Sequence, residues 1–268
     1  MRLKVDHVTR YHYDQAVRGV VQSHRLTPSQ FAGQRVHNWE VTVSGGTRGG
    51  GFRDGAGDWV QAWTVTGPVT DITVKVRGMV ETSDLSGVLK RHREVIPPIA
   101  WLSATPPTRA DAALDELAWS VEGSDALSLA HALSDAVADA IAFRPGMTHA
   151  HTTAAEALAL GEGVCQDHTH ALIACARVRD LPARYVSGYL HATEDGTLHE
   201  AAHAWAEIWV AGLGWVGFDA ANRCCPDERY IRLGAGADAR HAAPIRGIAR
   251  GNGEESLDVT VAVEAVQQ

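Results

Sequence analysis

Gly161-Glu162-Gly163-Val164-Cys165-Gln166-Asp167 opens into the helical run 167–179 and so places a thiol where a helix begins. The first turn of a helix leaves backbone N–H groups without intrahelical partners, and the aligned peptide dipoles add partial positive charge there. A thiolate gains from both, so the spacing predicts a reactive cysteine at position 165. The same N–H groups are placed to stabilise the oxyanion that forms when a thiolate attacks a carbonyl. Gly161 and Gly163 permit the tight turn that ends the preceding helix and presents Cys165.

A cysteine in a chain of this length is more often a small core residue than a nucleophile, and Cys175, inside Ala171-Leu172-Ile173-Ala174-Cys175-Ala176, reads as packing. Cys165 is set apart by a base and an orienting group downstream. His203-Ala204-Trp205-Ala206-Glu207-Ile208-Trp209-Val210 has strand composition, and a period of two puts His203, Trp205, Glu207 and Trp209 on one face. After the short Ala211-Gly212 turn, Leu213-Gly214-Trp215-Val216-Gly217-Phe218-Asp219 is expected as its antiparallel partner. Asp219, ending the second strand, then reaches the imidazole near the start of the first and fixes its tautomer. His203 is left to take the proton of Cys165.

At these residues the chain resembles the transglutaminase-like superfamily, in particular bacterial members labelled cysteine proteases. The matching stretches are Gly163-Val164-Cys165-Gln166-Asp167, Pro182-Ala183-Arg184-Tyr185-Val186-Ser187-Gly188-Tyr189, His203-Ala204-Trp205-Ala206-Glu207 and Gly214-Trp215-Val216-Gly217-Phe218-Asp219. Phe143-Arg144-Pro145-Gly146-Met147-Thr148 and Tyr230-Ile231-Arg232-Leu233 extend the match, and the opening 1–14 with Arg25-Leu26-Thr27-Pro28 looks like the N-terminal β domain of those bacterial proteins. The resemblance implies a catalytic triad of Cys165, His203 and Asp219. It also implies an α+β fold in which an N-terminal antiparallel β domain precedes a papain/transglutaminase-like core, with the nucleophile helix packed on an antiparallel sheet. Asp219-Ala220-Ala221-Asn222 departs from the family's more usual Asp-Pro-Thr-Asn, and His168 sits where an aromatic is common. Gln166 replaces the aromatic that follows the nucleophile in animal transglutaminases, which weakens the case for glutamine cross-linking.

Composition bounds the alternatives. A chain of 268 residues with 45% hydrophobic content suits one large or two small domains with a true core. A net charge of −8 argues against nucleic acid or an anionic membrane as partner. Met1-Arg2-Leu3-Lys4-Val5-Asp6 is already strand-like, so neither a signal peptide nor a membrane span is expected, and a cytoplasmic location follows. Four cysteines do not make a disulfide scaffold, and adjacent Cys224-Cys225 reads as a turn or a partly buried pair.

Residues 1–90 alternate strand-like runs, Trp39-Glu40-Val41-Thr42-Val43, then 58–65 and 71–80, with glycine clusters at 45–46 and 49–51 read as loops. Prolines at 97, 98, 106 and 107 mark 91–109 as a linker. The catalytic core is expected over 110–250. It holds a helix at 112–119, a longer one capped by Ser124 and running to 142, and one opened by the capping box Thr153-Ala154-Ala155-Glu156. Strands at 184–190, 203–210 and 215–218 complete it. The segment 251–268 supplies a last strand, 257–263, with the N-terminal domain as a candidate partner.

His149 with His151, and His168 with His170, raise the possibility of zinc. Residues two apart on a helix diverge, however, so the expected site holds no metal and needs no cofactor. His170 reads as packing behind the nucleophile, and His191 and His199 flank a hairpin loop over Thr193-Glu194-Asp195-Gly196-Thr197, where His199 competes with His203 as base. Trp205 is a packing anchor that also suits a cleft wall, Gln166 is positioned to present its amide near the oxyanion, and Glu207 is expected to pair with Arg184 or Arg223. The expected activity is attack of Cys165 on a peptide carbonyl or a glutamine-type carboxamide, followed by hydrolysis of an acyl-thioester. Transfer to an amine, a metal-dependent hydrolase, and a non-catalytic binding module that keeps the fold are the alternatives.

Overall fold

The computed structural model describes residues 1–191 and 202–266. Leu3, Val5, His7, Thr9, Tyr11 and Tyr13 are buried and their neighbours are not, the period-two pattern that makes β1 (Arg2–His24) a half-buried strand. It runs antiparallel to β4 (Trp59–Thr82), from Arg2 opposite Glu81 to His24 opposite Gln61, with register irregularities between His12 and Gly19. β2 (Gln34–Val43) and β3 (Gly46–Arg53) pair with successive parts of β4. β12 (Glu255–Ala265) and β11 (Ile245–Ala249) do the same along β1. The end of the chain therefore returns to the sheet in which the chain begins.

Two expectations change here. The runs 58–65 and 71–80 belong to one continuous strand, β4. The glycines at 49–51, read as a loop, lie within β3 at a register shift between Arg48 and Gly51. A Cβ on Gly51 would come 2.4 Å from Trp59 Cζ2, so the glycine lets the strand lie against the indole.

Helices occupy the middle of the chain. α1 (Ala112–Trp119) falls where its pattern predicts. α2 (Ala126–Ala140) is capped by Asp125, whose carboxylate accepts the Ser128 N–H at 2.8 Å, and not by Ser124. It stops at Ala140 because Ala142–Phe143 (β5) pairs in parallel with Glu162–Gly163 (β6). α3 (Ala154–Leu160) starts on the Thr153–Glu156 capping box and ends on Gly161, left-handed at φ 70°. α4 (Cys165–Val178) is enclosed by the other three helices, its residues 167–177 all buried.

A second antiparallel sheet runs in the order β10 (Tyr230–Gly236), β7 (Ala183–Leu190), β8 (Ala202–Val210), β9 (Gly214–Phe218). Strand β8 is buried on both faces. Ala204, Ala206, Ile208 and Val210 join Ala171, Leu172 and Cys175 of α4 in one core, while Trp205, one position out of phase, packs with Val186, Leu190 and Tyr230. Tyr189, Ile231 and Leu233 of this sheet share a core with Val5, Ile72 and Val76 of the first. The architecture is α+β, and among the described residues no helix is long and apolar enough to cross a membrane.

A buried charge network crosses between the sheets. Arg232 donates to Glu207 Oε1 at 2.8 Å and to Asp58 Oδ1 at 2.7 Å, and Arg184 donates to Glu207 Oε2 at 2.7 Å. The Arg184 guanidinium also stacks 3.9 Å from the Trp215 ring and pairs with Glu94. Glu207 thus takes Arg184 and Arg232, whereas Arg223 pairs with Asp139 at 2.7 Å.

Candidate active site

The turn before α4 is closed by its own aspartate, with Cys165 at the first helical position. The Asp167 carboxylate accepts the Val164 N–H at 2.8 Å and the Thr148 hydroxyl at 2.6 Å, which closes the N-terminus of the helix. A Cβ on Gly163 would sit 2.7 Å from the Asp167 Cβ, so only glycine fits beneath that carboxylate. The N–H groups of Asp167 and His168 bond to the Val164 carbonyl, while those of Cys165 and Gln166 are first-turn donors without intrahelical partners. Cys165 itself is half-buried.

The β8–β9 hairpin brings an imidazole and a carboxylate together. Asp219, just past the end of β9, accepts from His203 Nε2 through Oδ2 at 2.6 Å. Nε2 is therefore the protonated nitrogen, and Nδ1 is the one available to a thiol. Burial works against the charged form of His203. Hydrogen bonds to Asp219 and Cys165 and the negative charge of both outweigh it, and the pKa is raised to about 10. Any stability from this pairing is fully present below the ordinary histidine value near 6.5 and is lost as the pH rises through about 10. Burial likewise opposes the charge on Asp219, but His203, Asn222 and Tyr230 hold its carboxyl below the usual range.

Asp219 has further partners. Asn222 Nδ2 donates to Oδ2 at 2.7 Å, the Asn222 backbone N–H to Oδ1 at 3.1 Å, and the Tyr230 hydroxyl to Oδ2 at 2.8 Å. The spacing of Asn222, three residues past an aspartate, is the one local signal for this. Tyr230 arrives on β10, which has no register to β9 that a sequence pattern could show.

The other residues singled out in the sequence have partners of their own. Gln166 donates its amide to the Ala150 carbonyl at 3.3 Å. Trp205 is 3% exposed, packs edge-on to Tyr230 and borders a cavity of about 40 Å³, room for little more than a water molecule. His168 has a ring nitrogen 2.9 Å from the Val164 carbonyl and the other 2.8 Å from that of Ile141. His170 Nε2 accepts the Ala239 N–H at 3.1 Å, and the ring packs on Tyr185. His199 and the loop 193–197 lie outside the described residues. Among the described residues no group of three or more His, Cys, Asp or Glu side chains is arranged to hold a metal.

The site thus combines a thiol at a helix start with a buried imidazole–carboxylate pair, on an α+β core. Residues 116–220 match the model of the transglutaminase-like superfamily, and residues 3–81 that of the bacterial transglutaminase-like N-terminal region. An uncharacterized protein of Mycobacterium leprae is 32% identical over 280 residues, covering 98% of both chains. An uncharacterized protein of Mycobacterium tuberculosis is 31% identical over 291 residues, covering 98% of this chain and 92% of its own. The chain belongs to the transglutaminase-like superfamily. A crystal structure of a putative cysteine protease from Cytophaga hutchinsonii shares the fold, with a TM-score of 0.73 at 21% identity over 100% of this chain and 92% of that one.

Proposed function

We propose that the protein is a cysteine-dependent amide-bond hydrolase whose reacting groups are Cys165, His203 and Asp219. The observation that carries this reading is the His203 imidazole, held by Asp219 at 2.6 Å and acted on at the same time by Cys165. The pair shares one proton, which His203 holds as the imidazolium while the sulfur attacks.

The thiolate sulfur attacks the substrate carbonyl carbon, and the oxyanion forms beside the first-turn N–H groups of α4. As the C–N bond breaks, His203 gives its Nδ1 proton to the departing amine and leaves an acyl-thioester on Cys165. Neutral His203 then takes a proton from water as the oxygen bonds to the acyl carbon. The C–S bond breaks, and the thiolate–imidazolium pair is restored. A primary amine in place of water gives transglutamination by the same steps. Hydrolysis is preferred because Gln166 replaces the aromatic of the cross-linking enzymes and the structural neighbour is described as a protease.

Iodoacetamide at mildly acidic pH tests the thiolate. Cys165 should be alkylated much faster than Cys175, which is fully buried and whose thiol burial pushes up to about 12, and faster than Cys225, pushed up to about 11. Peptide mapping by mass spectrometry reads the site, and equal labelling of Cys165 and Cys175 would sink the proposal. Incubation with a peptide library should then give new carboxyl termini from the wild type and none from Cys165→Ala.

A further inference from the structure

The Asp219 carboxylate is held by more than His203. Its Oδ2 receives three donors: His203 Nε2 at 2.6 Å, Asn222 Nδ2 at 2.7 Å and the Tyr230 hydroxyl at 2.8 Å. A phenol has one proton, and the ionised carboxylate has none to offer, so the Tyr230 proton points at Asp219. The contact of 3.3 Å between Cys224 Sγ and the Tyr230 oxygen then leaves a single assignment, in which the thiol donates and the phenol accepts. Burial raises the Cys224 pKa, and the thiol stays protonated as that role requires. Cys224 is fixed to Asp219 by the backbone as well, the Asp219 N–H bonding to its carbonyl at 2.8 Å and its own N–H to the Asp219 carbonyl at 3.2 Å. The Tyr230 ring is 5% exposed and braced edge-on by Trp205 at 5.4 Å.

We propose that Tyr230 and Cys224 form a positioning relay behind Asp219: the Tyr230 hydroxyl fixes the carboxylate against His203, and the Cys224 thiol fixes where that hydroxyl points. The Tyr230 ring also lies 6.0 Å from the His203 ring, a contact that Tyr230→Phe keeps, while the hydroxyl and the Cys224 thiol act through Asp219. The inference rests on the reading of Cys165, His203 and Asp219 as the reacting groups. Around the relay the charged and titratable neighbours include Cys165 at His203, and Asp227, Arg229 and Cys225 beside Cys224, with Arg229 also 6.0 Å over the Tyr230 ring. All of them remain in the variants below.

Tyr230→Phe keeps the ring against Trp205 and removes the hydroxyl alone. One donor fewer leaves more negative charge on Asp219 for His203, so the imidazolium binds its proton more tightly. The His203 midpoint, followed by NMR on histidine-labelled protein with His203→Gln for assignment, should rise by roughly half a unit or more. Cys224→Ala should move it the same way by less, and Cys224→Ser, a stronger donor to the phenol, should not raise it. A purely structural tyrosine would lower the thermal midpoint and leave the His203 midpoint unchanged, and that result overturns the relay. Should Tyr230→Phe fail to fold, an unmoved midpoint in Cys224→Ala overturns it equally. Iodoacetamide labelling of the wild type separates the two ideas. An unreactive Cys165 rejects the proposed function, whereas a reactive Cys165 with an unmoved His203 rejects only the relay.

Discussion

Cys165→Ala should lower kcat/KM for amide cleavage by about four orders of magnitude or more, and His203→Ala should cost nearly as much. The double variant should be scarcely worse than either single one. Groups that act as one unit lose their whole contribution when one member goes, so the missing second penalty is the sharper part of the expectation. Additive losses would show that Cys165 and His203 act separately, and the mechanism would fail. Cys165 is only half-buried, so the thermal midpoint of Cys165→Ala should stay near that of the wild type and separate chemistry from folding. The pH profile carries a further sign. His203 is held protonated up to about pH 10, and kcat/KM should fall on the alkaline side only as that value is approached.

Local signals were legible in the sequence, and relations across the molecule were not. The Thr153–Glu156 box, the left-handed Gly161 and the start of α4 are written within a dozen residues, and the short turn at Ala211-Gly212 sets β8 and β9 antiparallel. Residues 49–51 misled because glycine is read as a turn signal, while here its missing side chain makes room for Trp59 within a strand. The site divides in the same way. Cys165, His203 and Asp219 are marked in the sequence by a helix start and a hairpin, each a local pattern. Tyr230 reaches Asp219 only because β10 packs beside β7, which no spacing along the chain encodes. Arg232 is the same case, since its partners Asp58 and Ser29 come from near the other end of the chain.

Glu207→Ala should destabilise the fold by about 3–5 kcal/mol, because it takes the shared acceptor from two guanidiniums that have no access to water. Arg184 is 0% exposed and Arg232 is 2%, so neither can turn outward to be solvated. Burial opposes the charge on Glu207, yet Arg232 and Arg184 outweigh it and bring the pKa down to about 2. Against an unfolded value near 4.3, that depression corresponds to roughly 3 kcal/mol, in line with the mutational range. A depressed carboxyl contributes stability that is present above the unfolded value and is lost as the pH falls toward about 2. Denaturant titrations between pH 5 and pH 2.5 should therefore show wild-type stability falling steeply, and Glu207→Gln, which cannot titrate, falling less. Equal slopes would mean that the desolvation of three buried charges cancels their attraction, as it does in some buried ion pairs. The location makes the outcome functional as well as structural. Glu207 lies on the strand that carries His203, is paired across to Arg184 on β7, and is joined through Arg232 to Asp58 of the N-terminal region. The network thereby ties the strand that carries His203 to the N-terminal region, so a Glu207→Ala protein that still folds should lose part of its kcat along with its stability.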